Sequence, residues 1–390
     1  MKYCRAWNGL VCVYRPPRST RVTPMQRNQT RMYGPNKFKL GLFGMNCSGG
    51  LTMTKAPEYW DASFENNLQA ARLADEAGLE FLLPVGRWRG YGGETDTAGS
   101  SFETLTWAAG ILAGTTGISA FGTVHVSLIS PVFAAKQMVT VHHIGQGRFG
   151  LNIVSGWNVG EHEMHGVQIR DHDERYDYSE EWITIVKRIW SEDEPFDYKG
   201  KYFDLKDVLL KPKPLDGDMP LLISAGNSEA GLAFAGRHVD CLFTSGRELG
   251  DLAAKVENLQ KQHLAINATV YTSGHLICKP TRKEADEYYH YIVHEMGDWE
   301  AADNTVAIRT RGGTTSGPML ARMKETIISG TGTYPVLGSY DEVVAEFKRM
   351  NELGVDGIAI GLVNYITDFP VLRDEILPRM ERLGLRLPAV

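Results

Sequence analysis

Polar groups placed where a buried strand ends are the first chemistry to look for in this chain. Asn152 lies in the apolar run Leu151-Asn-Ile-Val154, which breaks at Gly156 into a polar loop holding Trp157, Asn158, Glu161, His162 and Glu163. An amide between Leu151 and Ile153 needs a partner if it is buried. It either ties a neighbouring strand or offers its N–H to a ligand, and this stretch alone leaves both readings open. Delivery of polar groups at the C-terminal end of a buried strand is how parallel α/β folds build sites.

Other segments offer compatible groups. Ala225-Gly-Asn-Ser228 precedes an expected helix. A Ser hydroxyl and free N–H groups at a helix N-terminus can hold a phosphate, although an ordinary N-cap Ser has the same appearance. Arg175-Tyr176 would add a cation and a phenol to that clamp. Asn46, Cys47, Arg87, Thr123 and His125 also fall at expected strand ends. Familiar engines are missing: there is no Gly-x-Ser-x-Gly, Cys47 has no evident base, and no Gly-x-Gly-x-x-Gly follows the first strand. His142-His143 and the set Glu161, His162, Glu163 and His165 fit no zinc spacing, so no metal is expected. Amides, aromatics and a phosphate clamp without an acid–base engine point to a cofactor that carries the chemistry.

The elements that must position these groups follow from pattern. The chain has 390 residues, 43% hydrophobic and 23% charged, with net charge −6, an ordinary globular composition that argues against nucleic-acid or anionic-membrane partners. Five scattered cysteines without CxxC spacing fit reduced thiols and a cytoplasmic protein. Residues 1–38 form a basic segment, read as a disordered extension, a transit peptide or an over-long start with Met25 or Met32 as initiator. From residue 39 to 390, eight short apolar strands are each followed by at least one helix, with a hairpin near residues 196–205. Eight such repeats predict an α/β chain folded as a (β/α)8 TIM barrel, an open doubly wound sheet being the alternative. A lid-like insertion at about 297–338, carrying Arg309 and Arg311, precedes the last strand.

Several separated motifs then carry a resemblance. Leu151-Asn-Ile-Val-Ser-Gly-Trp157 with Glu161, Asp173-Glu-Arg-Tyr-Asp-Tyr178, Leu210-Lys-Pro-Lys-Pro214, Ser224-Ala-Gly-Asn-Ser228 and Tyr334-Pro-Val-Leu-Gly338 occur in that order. Together they resemble the bacterial-luciferase-like flavin-dependent monooxygenases from about residue 39 onward. Within that family, the Arg89-Gly-Tyr-Gly-Gly93 loop is most similar to pyrimidine, dimethyl-sulfone and alkanesulfonate monooxygenases.

The resemblance implies a TIM barrel using FMN, as FMNH2 from a separate NAD(P)H-dependent flavin reductase, together with O2 and a small-molecule substrate. It also implies a homo-oligomer. Cofactor contacts would come from Gly86, Arg87, Asn152, Glu161, Arg175, Tyr176 and Ser228, and the catalytic set would be Thr123, Asn152 and Trp157. Thr123 and Asn152 would polarise O2 in a dry pocket, and Trp157 would wall the substrate cavity. Three departures bear on substrate: His142-His143-Ile-Gly-Gln-Gly-Arg148 replaces the usual Asp-x-x-Ser-x-Gly-Arg, Arg87 stands where the pyrimidine enzymes have Lys, and His125 stands where they have a small residue. A sulfonate would call on Arg87, Arg309 and Arg311. A flat heterocycle would call on Asn152 and Glu161. A deazaflavin-dependent oxidoreductase and a non-catalytic flavin-binding protein are the alternative functions.

Overall fold

A computed structural model describes residues 27–226, 228–261, 268–310 and 317–388. Met25, the Asn of Ala225-Gly-Asn-Ser228 and Arg311, singled out above, lie outside the described residues, as does most of the basic segment 1–38.

In chain order the strands are β1 (Lys39–Phe43), β2 (Phe81–Leu83), β3 (Ser119–His125), β4 (Phe149–Val154), β5 (Phe196–Lys199), β6 (Asp204–Val208), β7 (Leu221–Ala225), β8 (Cys241–Thr244), β9 (Thr269–Lys279), β10 (Tyr334–Ser339) and β11 (Gly357–Gly361). Eight of them close a parallel barrel in the order β1-β2-β3-β4-β7-β8-β9-β11 and back to β1. The expected (β/α)8 barrel is therefore the fold. β5 and β6 make the antiparallel surface hairpin. The helices are α1 (Phe64–Glu76), α2 (Thr104–Ala113), α3 (Pro131–Ile144), α4 (Val159–Met164), α5 (His172–Ser191), α6 (Glu229–His238), α7 (Leu249–Lys261), α8 (Arg282–His290), α9 (Trp299–Thr310), α10 (Pro318–Gly330) and α11 (Tyr340–Glu352), before a last helical segment at 369–382.

Strand parity decides what fills the barrel. Phe81, Phe121, Phe243 and Tyr271 point inward from β2, β3, β8 and β9, with ring centroids 5.5–6.2 Å apart. The facing positions must then be small. A Cβ on Gly41 of β1 would meet the Phe81 ring at 2.5 Å, and one on Gly150 of β4 would meet Phe121 at 2.2 Å. Alternation of large and small residues between strands is how such a barrel packs solid. The same parity turns Asn152 inward, two residues above Gly150, whereas Leu151 and Ile153 join the layer under the helices.

Two segments differ from expectation. The chain is already packed before residue 39: Met32 enters the barrel's inner cluster, and Arg31 pairs with Asp75 at 3.0 Å and donates to the Leu79 carbonyl. Basic composition concealed this, because one apolar side chain suffices to plug a barrel end. The stretch at about 297–338 is also built from α9, α10 and β10 rather than open loop. β10 pairs with residues 274–279 of β9, beyond the point where β8 stops at Thr272. Arg309 donates to the Thr331 carbonyl at 2.8 Å, so its cation ties α9 to the left-handed end of α10.

Candidate active site

The inward parity of β3 and β4 sets Thr123 beside Asn152 in register at the C-terminal mouth. Their bonding directions follow from donor counting. The Pro84 carbonyl can only accept, and Thr123 Oγ1 lies 2.6 Å from it, so the single hydroxyl proton is used there. Thr123 Oγ1 must then accept from Asn152 Nδ2 at 3.1 Å. This fixes the orientation of the Asn152 amide and leaves its second N–H for another acceptor. The two residues are an oriented relay, in which Asn152 keeps one N–H for a further acceptor.

The loop after β2 forms the next wall. Glu161, 2% exposed, accepts from the backbone N–H groups of Trp88 (3.0 Å) and Arg89 (3.3 Å) through Oε1. The same oxygen lies 3.3 Å from Arg87 Nε, an ion pair with both side chains nearly enclosed. Its approach is off-line for a hydrogen bond, and neither Nε nor Nη1 of Arg87 has a hydrogen-bond partner among the described residues. Arg87 lies over the rings of Tyr91 (4.4 Å) and Trp157 (5.5 Å), and Trp157 remains half-exposed. Gly86 has to be glycine-sized: a Cβ there would come within 2.9 Å of His125 and 3.0 Å of Thr123. Asn46, fully buried, ties this loop to the start of α2 through Val85 and the Phe102 carbonyl.

A cavity of about 610 Å³ opens beside these residues. Phe102, Leu105, Val124, Ile129 and Phe133 form its apolar walls, and Arg87, Thr123, His125 and Gln137 its polar points. Burial, with the neighbouring His162, Arg87 and His165, lowers the His125 pKa to about 4, so the ring is neutral at physiological pH. The sequence reading missed the far wall, although Phe133 and Gln137 are four residues apart on α3 and thus share one helix face.

Arg175, Tyr176 and Ser228 lie on α5 and at the start of α6, a short way around the mouth. Ser228 caps α6, accepting from Gly231 N at 3.2 Å. A Cβ on Gly231 would sit 2.7 Å from the Tyr176 hydroxyl, which places that phenol against the helix's first turn. Arg175 donates to the Gly156 carbonyl and so links this corner to the Trp157 loop. His162 bonds Ser127 (2.8 Å) and the Asn158 carbonyl (2.8 Å). Cys47 is enclosed and burial pushes its thiol up to about 12, which disqualifies it as a nucleophile. Among the described residues no three His, Cys, Asp or Glu side chains converge as metal ligands, and no helix is long and apolar enough to cross a membrane.

The sequence pattern of one family, described as Luciferase-like monooxygenase, matches residues 38–357. The chain belongs to the luciferase-like monooxygenase family. Among curated members, it is 31% identical over 343 residues to pyrimidine monooxygenase RutA of Pseudomonas savastanoi pv. phaseolicola, covering 80% of this chain and 94% of that one. It is 27% identical over 347 residues to the FMNH(2)-dependent dimethylsulfone monooxygenase of Pseudomonas fluorescens, covering 87% and 93%. Among solved structures, riboflavin lyase (RcaE) with modified FMN and riboflavin superposes with a TM-score of 0.80 at 20% identity, covering 90% and 93% of the two chains. That likeness establishes the shared fold. In this luciferase-like chain, family motifs that are distant in sequence meet around one mouth: the Leu151–Trp157 run, Glu161, and the Ser228 helix start.

Proposed function

We propose that this monooxygenase is the oxygenating component of a two-component system, using FMN delivered as FMNH2 by an NAD(P)H-dependent reductase, O2 and a small organic substrate. An organosulfur compound or a pyrimidine-type heterocycle is the substrate class. The observation that carries the reading is the Asn152 amide, locked by Thr123 and Pro84 so that one N–H is left over at the barrel mouth.

The residues present suit a flavin mononucleotide. Gly86 lines the cavity and packs too closely on His125 and Thr123 to carry a side chain, and Arg87 Nη1 is a buried donor without a partner among the described residues. Arg175, Tyr176, Ser228 and the first turn of α6 would hold the phosphate. Gly86, Arg87, Asn152 and Glu161 would border the ring system. When bound, the flavin supplies oxygen activation and the transfer of one oxygen atom. The chain supplies the surroundings. Thr123 orients Asn152, whose free N–H stabilises negative charge developing on oxygen. Glu161 keeps the Arg87 loop in place, Trp157 lies against Arg87, and the apolar walls of the cavity exclude water.

The test is substrate-dependent oxygen uptake with FMN, NADH and a generic flavin reductase, products being identified by mass spectrometry. Methanesulfonate, longer alkanesulfonates, dimethyl sulfone and uracil form the panel. Coupled product formation is expected, whereas absence of flavin binding would overturn the reading. Turnover with a deazaflavin in place of FMN would move the protein to hydride chemistry. Asn152→Ala should retain FMN binding while product formation drops at least about tenfold; unchanged turnover would remove Asn152 from the mechanism.

A further inference from the structure

The charge inventory of the 610 Å³ chamber narrows the substrate. Arg87 brings one positive charge, but Glu161 lies 3.3 Å from it and is equally enclosed, so the pair presents no net charge. Glu103, at the rim, is committed as the N-cap of α2, accepting from Leu105 N (3.0 Å), Thr106 N (2.8 Å) and the Thr106 hydroxyl (2.7 Å). Arg309, which could have served a sulfonate, is bound to the Thr331 carbonyl. What remains in the chamber is neutral bonding capacity. With Arg87 assigned to the flavin ring, Gln137 Oε1 is left as a buried acceptor without a partner among the described residues. His125 adds one donor and one acceptor, because its imidazole is held neutral by burial. Among the described lining residues Arg87 is the one Lys or Arg, and it is paired with Glu161, so an anion entering this space would lose its hydration without meeting an uncompensated Lys or Arg there, which costs more than burying a neutral polar group that meets donors and acceptors.

Resting on the monooxygenase reading, we propose that this chamber receives a compact, uncharged substrate bearing hydrogen-bonding oxygen or nitrogen on an apolar frame, and that His125 and Gln137 make the enzyme discriminate against anions of the same shape. His125 and Gln137 both line the chamber and form its specificity-determining pair. A wall of Phe102, Leu105, Ile129 and Phe133 takes the apolar part.

Matched probes test this on the full-length protein. FMN binding is recorded first by flavin fluorescence. Calorimetric titration of the FMN-loaded protein then compares dimethyl sulfone with methanesulfonate, which replaces one methyl by an anionic oxygen, and uracil with orotate, which adds a carboxylate to the ring. At least one neutral probe should bind about tenfold or more tightly than its anionic counterpart. His125→Arg, which adds a cation, should shift the neutral-to-anion affinity ratio about tenfold toward the anion, a change that mere structural damage would not produce. Anion binding equal to or tighter than neutral binding in both wild-type pairs would overturn the proposal. So would the absence of detectable binding by any neutral probe to FMN-loaded protein. A protein that fails to bind FMN would instead bring down the monooxygenase reading itself.

Discussion

Two buried arginines at opposite ends of the barrel show how differently the same side chain can be used. Arg148 enters β4 at its N-terminal end, 4% exposed, and its two terminal nitrogens donate to the carbonyls of Leu112, Thr115 and Ile118 and to the Thr115 hydroxyl at 2.9–3.2 Å. Arg87, 7% exposed at the mouth, has a carboxylate beside it yet keeps Nη1 unpartnered among the described residues. A side chain whose two terminal nitrogens are spent on backbone carbonyls and a hydroxyl is finished as a structural tie. One that holds a donor in reserve on a cavity wall is prepared for a ligand. The reserve alone is not sufficient: Arg386 also leaves Nε and Nη1 without partners among the described residues, but it binds the Ala77 and Gly78 carbonyls at the closed end, away from the chamber. Stability is concentrated at the bottom of the barrel and chemistry at the top.

The largest effect is expected from Arg148→Met. It strands three carbonyls and a hydroxyl in the interior and should cost about 3–5 kcal/mol in denaturant unfolding. Loss of less than about 1 kcal/mol would break the contrast between the two ends.

Next comes acidity. His142, at the closed end of α3, and His125, at the mouth, both have pKa values lowered to about 4, chiefly by burial. Between about pH 6.5 and 4 the unfolded chain binds protons that the native state refuses, so stability rises with pH through this window and is complete above it. Each histidine should contribute on the order of 3 kcal/mol to that slope. His275, also near 4, adds to it, while Glu80, Asp356 and Asp368, raised by burial, act in the opposite sense. Thermal melts of His142→Gln and His125→Gln across the window should therefore each show a shallower dependence than wild type.

Arg87→Lys separates charge from geometry. It keeps the cation beside Glu161, so stability should change by less than about 1 kcal/mol, but product formation should fall about tenfold or more because the planar fork is lost. The smallest effect is Ser228→Ala, which removes the α6 cap at about 1 kcal/mol and should weaken FMN binding several-fold, measured by flavin fluorescence.

Parts of this molecule were legible in the sequence because the signal is local. The barrel strands are buried on both faces and read as short apolar runs, and each helix that follows shows its own start and stop. β10 was not read as a strand, since six residues containing Pro335 and Gly338 pair only with the overhang of β9 and interrupt the barrel's rhythm. Met32 was not read as core, because its partners Phe81, Phe121 and Tyr271 are far away in the chain. The far wall of the chamber escaped for the same reason.

By itself, then, the sequence determined the repeating strand–helix order and the presence of Asn152 among apolar neighbours, consequences of short apolar runs alternating with 3.6-residue helical periodicity. Only the tertiary structure decided that Pro84 takes Thr123's proton and thereby aims the Asn152 amide, that Glu161 neutralises Arg87, and that Arg309 is spent on Thr331. A side chain's donors are assigned by whatever the fold brings within about 3 Å of them, and these partners come from elements that share no local pattern.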